Sequence, residues 1–312
     1  MLLPKAHELA AYTLEAQHPL TRTWVDDTAR VDLLAQQHEI DVLLATDLSI
    51  AAKRARRFAA DAPPEELLNR WVGVNNDLNA MVSIRYEGED PQKPFVDATP
   101  LSHPLSAEDV PSLCRAAQDI YGPLQPRYLR LWSSERYGWI QDSGPDKRFM
   151  AAQLKSLRRG TGLRLPTDLV LTSARSMENC AKAQRAYDAV RAAHPNHSQQ
   201  SALQSFDDLN ETLEAGLLFD VTVGGTWAGY VAAMSDGDTL GLPAYVVQEL
   251  ILTPEFRGRG YGPHLTTLLA RALPDRDAIL LGTIHADNRG AIQAAIAAGR
   301  IDVGGWIQIP LR

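Results

Sequence analysis

A glycine-rich turn occupies residues 252–263, which read LTPEFRGRGYGP. It joins a nearly continuous apolar run, residues 244–252, to an amphipathic segment that begins at Pro263, a pattern that predicts a buried strand followed by a helix. Glycine permits positive φ values and close approach to a ligand, so successive N–H groups can point into one concavity. Such groups at a helix N-terminus favour an anion. The alternative is a plain turn whose arginines point to water.

The spacing of the glycines separates this turn from two common nucleotide-binding loops. It lacks the Gly-Lys-Ser/Thr ending of a P-loop, and Gly258, Gly260 and Gly262 do not follow Gly-x-Gly-x-x-Gly. The pattern is Arg-x-x-Gly-x-Gly, with Arg257, Gly260 and Gly262 at its fixed positions. This pattern resembles the pyrophosphate-binding loop of the GNAT N-acetyltransferase superfamily.

A second segment adds to the resemblance. Members of the superfamily often carry an Asn after the fifth strand, then an Ala and a later Gly on the next helix, and this chain has Asn288, Ala291 and Gly299 at those places. The similarity covers about residues 161–312 in element order and is strongest over residues 248–269.

The resemblance implies that the chain uses acetyl-CoA as a cosubstrate and needs no metal. In such enzymes the strand before the loop splays from its neighbour and pairs with the pantetheine arm, the loop N–H groups bind the diphosphate, and the Asn faces the cofactor. The cofactor-binding residues expected on this basis are Leu250, Ile251, Leu252, Arg257, Gly258, Arg259, Gly260, Tyr261, Gly262 and Asn288.

Two positions depart from the family pattern where it concerns catalysis. Many members use a Tyr on the helix after the Asn to protonate the thiolate, and the equivalent residue is Ala295; the usual Phe after Gly299 is Arg300. Alanine cannot donate a proton, so an active enzyme would need another group or water for this step. Three titratable side chains are near in sequence, namely Tyr261, His264 and His285.

Glu249 is the candidate general base, because it is the only carboxylate in the strand before the loop. Burial there would raise its pKa toward the working pH. In members with a well-known base, the Glu lies three residues upstream, where this chain has Val246. Strand alternation predicts that Glu249 and Val246 face opposite sides of the sheet. The alternative is a Glu that is turned to solvent or paired with an arginine.

The order of predicted elements divides the chain at Gly160-Thr161-Gly162, into domains of residues 1–160 and 161–312. The second domain has an α/β order and would be the acetyltransferase. The first contains no Arg-x-x-Gly-x-Gly and is interpreted as a degenerate GNAT-like domain without a cofactor site, or as an unrelated helical domain. Its predicted elements are helices at 6–16 and 31–60, a strand at 80–86, a Pro-rich loop at 91–104, a capped helix at 110–121, a strand at 128–132 and a helix at 147–159.

Composition narrows the function classes. The 312 residues include 31 Lys plus Arg and 38 Asp plus Glu, and the net charge of -7 argues against nucleic-acid binding. Neither a run of ~20 apolar residues nor a signal peptide occurs, and two cysteines, Cys114 and Cys180, fit a reducing compartment, so a cytoplasmic location without membrane binding is expected. His194 and His197 flank a Pro-Asn dipeptide, which is typical of a surface turn, so they are expected to lie at the surface and not to bind a metal.

The sequence therefore predicts an α/β (α+β) fold of the GNAT type, with a mixed central sheet flanked by helices, in two tandem copies. The expected activity is direct transfer of an acetyl group from acetyl-CoA to the amine of a small-molecule acceptor. A catalytically inactive acyl-CoA sensor or scaffold is the alternative. The protein is expected to be a monomer or homodimer.

Overall fold

The structure is a computed structural model that describes residues 2–135, 140–160, 162, 164–193, 202–236, 239–275 and 277–311. His194 and His197, and Thr161 of the predicted linker, lie outside these residues. Among the described residues, no helix is long and apolar enough to cross a bilayer.

Helices and strands alternate along much of the chain. The α-helices are α1 (Ala6–Glu15), α2 (Asp27–Thr46), α3 (Leu48–Phe58), α4 (Val110–Tyr121), α5 (Leu154–Arg159), α6 (Cys180–Ala193), α7 (Phe206–Glu214), α8 (Tyr261–Ala272) and α9 (Arg289–Ala297). The strands are β1 (Arg70–Gly73), β2 (Asn79–Tyr86), β3 (Pro94–Leu101), β4 (Tyr128–Ser133), β5 (Gly144–Gln153), β6 (Leu169–Ser173), β7 (Leu218–Val223), β8 (Thr226–Asp236), β9 (Ala244–Leu252), β10 (Ile279–His285) and β11 (Ile301–Pro310). The predicted α/β fold with a mixed sheet flanked by helices is confirmed.

The chain folds into two compact units. Unit 1 comprises Met1–Arg148, Asp238–Leu242 and Val303–Arg312, and unit 2 comprises Phe149–Gly237 and Pro243–Asp302. The sequence-predicted boundary at residues 160–161 lies within unit 2. Strand β11 runs from unit 2 into unit 1, so unit 1 is built from both ends of the chain.

Unit 1 has the strand order β1-β2-β3-β4-β11. Neighbouring strands are antiparallel except for β3 and β4, which are parallel and connected through α4. One face of these strands packs with α3 and α4 in an aliphatic core that includes Val96, Leu113, Leu129 and Ile307.

Unit 2 likewise contains antiparallel pairs and a parallel pair joined through a helix. Strands β6, β7, β8 and β9 are antiparallel neighbours, whereas β9 and β10 are parallel and connected through α8. The core on one face includes Leu265 and Leu269 of α8, and the core on the other includes Ala183 of α6 and Leu209 of α7. The sheet of unit 2 is therefore covered by helices on both faces, and the residues at the end of β9 are buried between them.

Three predicted elements of the first half are corrected. Residues 91–104 were expected to be a loop, but Pro94–Leu101 forms β3. The first part of the helix expected at 147–159 belongs to β5. The sequence did not indicate this strand, because residues 148–152 are all buried and a strand that is buried on both faces lacks the alternation of apolar and polar residues. The helix expected at 31–60 is two helices, since the Asp47 carboxylate accepts hydrogen bonds from the backbone N–H groups that begin α3.

Candidate active site

The strands β9 and β10 separate partway along their length. Three register pairs join them, and the last of these pairs is Val246 with Leu281. Strand β9 continues to Leu252 and β10 to His285, but no further pair joins them in the described chain. The peptide groups of β9 that face this gap include those of residues predicted to bind a pantetheine arm.

The turn after β9 presents free backbone donors. Gly258 and Gly260 have φ values of 70° and 83°, and a Cβ atom at either position would meet no atom within 4 Å. Gly260 is the N-cap of α8 and supplies no side-chain cap. In the described chain, the N–H groups of residues 258–262 donate no hydrogen bond to a protein acceptor. The turn therefore has the conformation, the space and the unpaired donors that an anion requires.

The two arginines of the turn have different surroundings. Arg257 donates from Nε to the Leu252 carbonyl at 2.7 Å and from Nη2 to the Ala186 carbonyl at 3.0 Å, so it fixes the end of β9 to α6. Partial burial lowers the pKa of Arg257. Arg259 is exposed, with its guanidinium 5.7 Å from the centre of the Phe256 ring. Arg259 is thus the arginine that is available to an anion on the loop.

Helix α8 begins two residues earlier than expected. It starts at Tyr261, so Pro263 occupies the third helical position rather than the first. The absence of an N–H on Pro263 is still harmless there, because the first turn of a helix has no internal acceptor for it. Gly262 lets α8 approach α9, since a Cβ at this position would lie 3.1 Å from Cβ of Ala294.

The downstream residues of the family pattern lie at the start of α9. Asn288 is the exposed N-cap of α9, and its Oδ1 accepts a hydrogen bond from the Ala291 N–H at 3.2 Å. Ala295 is buried in the same helix. Of the titratable groups considered from the sequence, the Tyr261 hydroxyl donates to Asp168 at 3.2 Å, and His285 Nδ1 accepts from the Asp287 N–H at 3.2 Å. His264 is partly exposed on α8.

A β-bulge in β9 corrects the predicted orientation of Glu249. Met234 of β8 pairs with Val246, and Ala232 pairs with Glu249, so β9 has one more residue than β8 over this interval. The extra residue resets the alternation of side chains. Glu249 and Val246 therefore lie on the same face of the sheet, not on opposite faces as simple alternation predicts.

The Glu249 carboxylate is buried and held at both oxygens. The residue is 1% exposed; its Oε1 accepts from the Gln204 N–H at 2.8 Å, and its Oε2 accepts from the Tyr187 hydroxyl. Burial raises the pKa of Glu249 above its ordinary value, an effect that these two hydrogen bonds oppose. Glu249 is therefore not turned to solvent, and it forms no ion pair with an arginine among the described residues, so the alternative to a general base does not describe its surroundings.

The raised pKa of Glu249 predicts a pH-dependent effect of Glu249→Gln on stability. Between the unfolded and folded pKa values the native state binds more protons, so wild-type stability falls as pH rises through the folded pKa. Glutamine keeps the same shape but carries no charge, so the free energy of unfolding of Glu249→Gln should gain on wild type by about 1.4 kcal/mol for each unit by which the pKa is raised. Urea denaturation from pH 5 to pH 8 measures this difference. A constant difference across that range would contradict it.

A buried guanidinium lies where β9 and β10 separate. Arg300 is 4% exposed, and its Nε and Nη2 donate to the Met150 carbonyl at 3.1 and 2.6 Å. It has no carboxylate partner among the described residues, and burial lowers its pKa to about 10. A Cβ added to Gly282 would lie 2.3 Å from Nη2 of Arg300 and 3.3 Å from Cβ of Val247. The sequence marked Arg300 as a departure but did not indicate this position.

Gly282→Ala is expected to destabilise the protein because it displaces Arg300. The added methyl group overlaps the guanidinium, so two hydrogen bonds are strained and a buried charge loses its acceptor, at a cost of roughly 1–3 kcal/mol. Gly290→Ala in α9 is the matched control. A Cβ there meets nothing within 4 Å, and replacing a helical glycine gains up to about 1 kcal/mol. Thermal unfolding of both variants tests the prediction, which fails if Gly282→Ala is as stable as Gly290→Ala.

The structure brings Tyr187 and Gln204 to the predicted base, and sequence reasoning missed both. They belong to α6 and to the residues before α7, far from Glu249 in the chain. No spacing signal connects them, because a hydrogen bond between helix and sheet depends on packing. Among the described residues, no group of three or more His, Cys, Asp or Glu side chains is arranged to hold a metal ion.

Comparison with known proteins assigns a family to the part of the chain that contains the turn and Glu249. Residues 183–296 match the model of the acetyltransferase (GNAT) family, which confirms the resemblance seen in the loop. No curated protein matches the chain.

Several solved structures are similar at low identity. An acetyltransferase of the GNAT family from Colwellia psychrerythraea is 12% identical, with a TM-score of 0.48, over 79% of this chain and 86% of that chain. A GCN5-related N-acetyltransferase from Sphaerobacter thermophilus is 16% identical, with a TM-score of 0.45, over 86% and 95%. A tandem GNAT protein from the clavulanic acid biosynthesis pathway is 15% identical, with a TM-score of 0.41, over 87% and 96%.

Proposed function

We propose that unit 2, which carries the GNAT domain of residues 183–296, is an acyl-CoA-dependent N-acyltransferase that acetylates the amine of a small molecule. The observation that carries this proposal is the set of free N–H donors at residues 258–262, beside the gap between β9 and β10. A diphosphate needs several donors and little steric hindrance, and both conditions hold in this turn.

The residues present fit acetyl-CoA as the cosubstrate. The N–H groups of residues 258–262 and the exposed Arg259 would hold the diphosphate, while backbone groups of Leu250, Ile251 and Leu252 along the gap would hold the pantetheine arm. Asn288 lies at the start of α9, where its amide is exposed. Arg257 would contribute by fixing the end of β9, since its guanidinium is already bonded to two carbonyls.

The reaction transfers the acetyl group directly to the acceptor amine. A bond forms between the amine nitrogen and the acyl carbon, the carbon–sulfur bond breaks, the amine loses a proton and the thiolate gains one. An alkylamine is almost wholly protonated near pH 7, so a group in the protein or a water chain must accept its proton before or during attack.

Glu249 is the proposed acceptor of this proton, with Tyr187 as the link. The carboxylate is too buried to contact an acceptor directly, whereas Tyr187 is partly exposed and its hydroxyl already donates to Glu249. The Tyr187 oxygen would take up the amine proton while its own hydroxyl proton moves to Glu249. The carboxylate would thus gain a proton without contacting the acceptor. The raised pKa of Glu249 suits this role, because a base acts best when its pKa lies near the operating pH.

The leaving thiolate has no tyrosine at the usual position, which favours the second candidate function, an acyl-CoA sensor or scaffold without turnover. Ala295 is buried and cannot donate a proton. Arg300 places a positive charge at the gap, which would stabilise negative charge on the leaving group, and water would then supply the proton. Product analysis by mass spectrometry after incubation with acetyl-CoA and a panel of amines tests the two functions. An N-acetylated product supports the transferase, and binding without product supports the sensor.

A further inference from the structure

A pocket of about 220 Å³ lies in unit 1, beneath helices α1 and α2. The lining residues that the structure describes all belong to unit 1. The proposed function uses unit 2 and leaves this pocket without a role. It does not resemble the acyl-CoA site, because the loop from β3 to α4, residues 102–109, contains no glycine and ends in Glu108 and Asp109. These acids at a helix N-terminus would repel a diphosphate.

The sheet face that forms the floor of the pocket is polar. Residues of β3 and β4 that point to the opposite face are aliphatic and join the core, whereas Asp97, Arg130 and Trp132 point into the pocket. Covering a polar side chain with helices costs free energy unless the side chain is fully hydrogen-bonded, so a sheet face under helices is normally apolar. A few polar side chains that face a cavity beside apolar and aromatic ones are typical of a ligand-binding site.

Asp97 and Arg130 form a rigid charged pair. Asp97 is 6% exposed; its Oδ2 accepts from Arg130 Nε at 2.7 Å, and its Oδ1 accepts from the Thr99 hydroxyl. The Arg130 guanidinium lies 4.7 Å from the centre of the Phe95 ring and 4.6 Å from that of Trp306. Both partners are therefore held in one orientation before any ligand arrives.

A second charged pair reaches the same pocket from another strand and from α2. Arg85 donates to Asp41 Oδ1 at 3.1 Å, and His38 Nδ1 lies 3.0 Å from Asp41 Oδ2. Thr13 contacts the other nitrogen of His38 at 2.7 Å. Among the described residues, the pocket is thus lined by two carboxylates and two guanidiniums, whose charges cancel, and by the imidazoles of His38 and His103.

Two indole rings provide an apolar wall. Trp132 and Trp306 meet edge to face, with ring centres 5.2 Å apart. Gly304, at φ 127°, makes room for this arrangement, since a Cβ there would lie 2.5 Å from the Trp132 ring. Leu101 and Leu105 extend the apolar surface. A ligand with an apolar body and polar ends would contact both kinds of surface.

We propose that this pocket binds a small zwitterion of the α-amino-acid type with an apolar side chain. Its ammonium group would bind at the carboxylates and its carboxylate at the guanidiniums, while its side chain packs on the indoles. A ligand with a net charge is disfavoured, because the carboxylates and guanidiniums that the structure describes around the pocket already balance each other in a partly buried site. The proposal does not depend on acyl-CoA binding in unit 2.

The test is calorimetric titration of the full chain with L-leucine, L-methionine and L-phenylalanine. At least one is expected to bind saturably, with one site per chain. N-acetyl-L-leucine and L-leucinamide each lack one charge and should bind at least ~10-fold more weakly than L-leucine, because each leaves a charged group of the pocket without its ligand partner. L-lysine and L-glutamate carry a net charge and should also bind weakly.

Variants assign the binding to this pocket. Asp97→Asn and Arg130→Gln should each lower the affinity by ~10-fold or more, since both remove a charge-assisted contact. Leu105→Trp fills the pocket without altering either charged pair and should abolish binding, which covers the case in which a charge variant fails to fold. Gly260→Asp, in the unit 2 loop, should bind the amino acid as wild type does.

Two results would overturn the proposal. One is that no amino acid binds saturably to wild type. The other is that binding persists unchanged in Asp97→Asn or, if that variant does not fold, in Leu105→Trp. Loss of acetyl-CoA binding with intact amino-acid binding would count against the proposed function of unit 2 alone, so the two failures are distinguishable.

Discussion

Gly260→Asp is expected to abolish the rise in melting temperature that acetyl-CoA gives the wild-type protein. Gly260 lies in the left-handed region and its N–H belongs to the free donors of the turn. An Asp side chain at this position puts a carboxylate where the diphosphate would bind, and two like charges in one concavity repel strongly. Ligand that binds only the native state adds about 2.7 kcal/mol of stability at a hundredfold excess over Kd, and the variant should lose this gain.

The matched control for this substitution is Gly225→Asp. Gly225 also has a positive φ, 80°, and open space around its Cβ position, but it lies in the hairpin between β7 and β8. It therefore reproduces the backbone strain of Gly260→Asp away from the turn. Differential scanning fluorimetry with and without acetyl-CoA compares the three proteins. Equal ligand-induced shifts in all of them would show that the turn does not hold the diphosphate.

Glu249→Gln and Tyr187→Phe are expected to lower kcat by on the order of 10²-fold or more, which is the usual contribution of general-base assistance. Each substitution interrupts the proposed proton transfer from the amine: Glu249→Gln removes the final proton acceptor, and Tyr187→Phe removes the hydroxyl between the amine and Glu249. KM for acetyl-CoA should change little, because neither side chain belongs to the turn. The double variant should be no slower than the slower single variant, since the two residues act in one route.

The pH profile separates this role from a structural one. Wild-type kcat should rise with pH through the raised pKa of Glu249, because only the carboxylate accepts a proton. The deficit of both variants should shrink at high pH, where more of the acceptor amine is neutral without help. Glu255→Gln, which alters an exposed carboxylate of the same segment, is the control and should behave as wild type. Near-normal kcat for Glu249→Gln from pH 6 to pH 9 would make Glu249 a structural residue.

The turn and its flanking elements could be predicted because their signals are local. The apolar run of β9 and the Arg-x-x-Gly-x-Gly spacing are contiguous in the chain, and β9 has the predicted bounds. Helix α4 also begins and ends where predicted, although the side chain of its N-cap residue Asp109 makes no capping hydrogen bond. The Asp109 carboxylate instead accepts from the Ser106 N–H at 3.0 Å, so the two residues paired in the sequence pattern do contact each other.

The surroundings of Glu249 could not be predicted, because they depend on residues that are far from Glu249 in the chain. Its orientation depends on the bulge in β9, which is defined by pairing with β8 and has no signature in the strand itself. Its partner Tyr187 is 62 positions away in the chain. In unit 1, the prolines at both ends of β3 indicated a loop, so the sequence did not predict the strand that positions Asp97 in the pocket.

Amine-dependent release of thiol from acetyl-CoA distinguishes an acyltransferase from a protein that only binds acyl-CoA. Wild-type protein is expected to release thiol only when an acceptor amine is present. Gly260→Asp should release none, while Gly225→Asp should retain the wild-type rate. Thiol release that is absent with every amine, in a protein that acetyl-CoA nevertheless stabilises, would contradict the transferase and leave an acyl-CoA-binding protein without turnover.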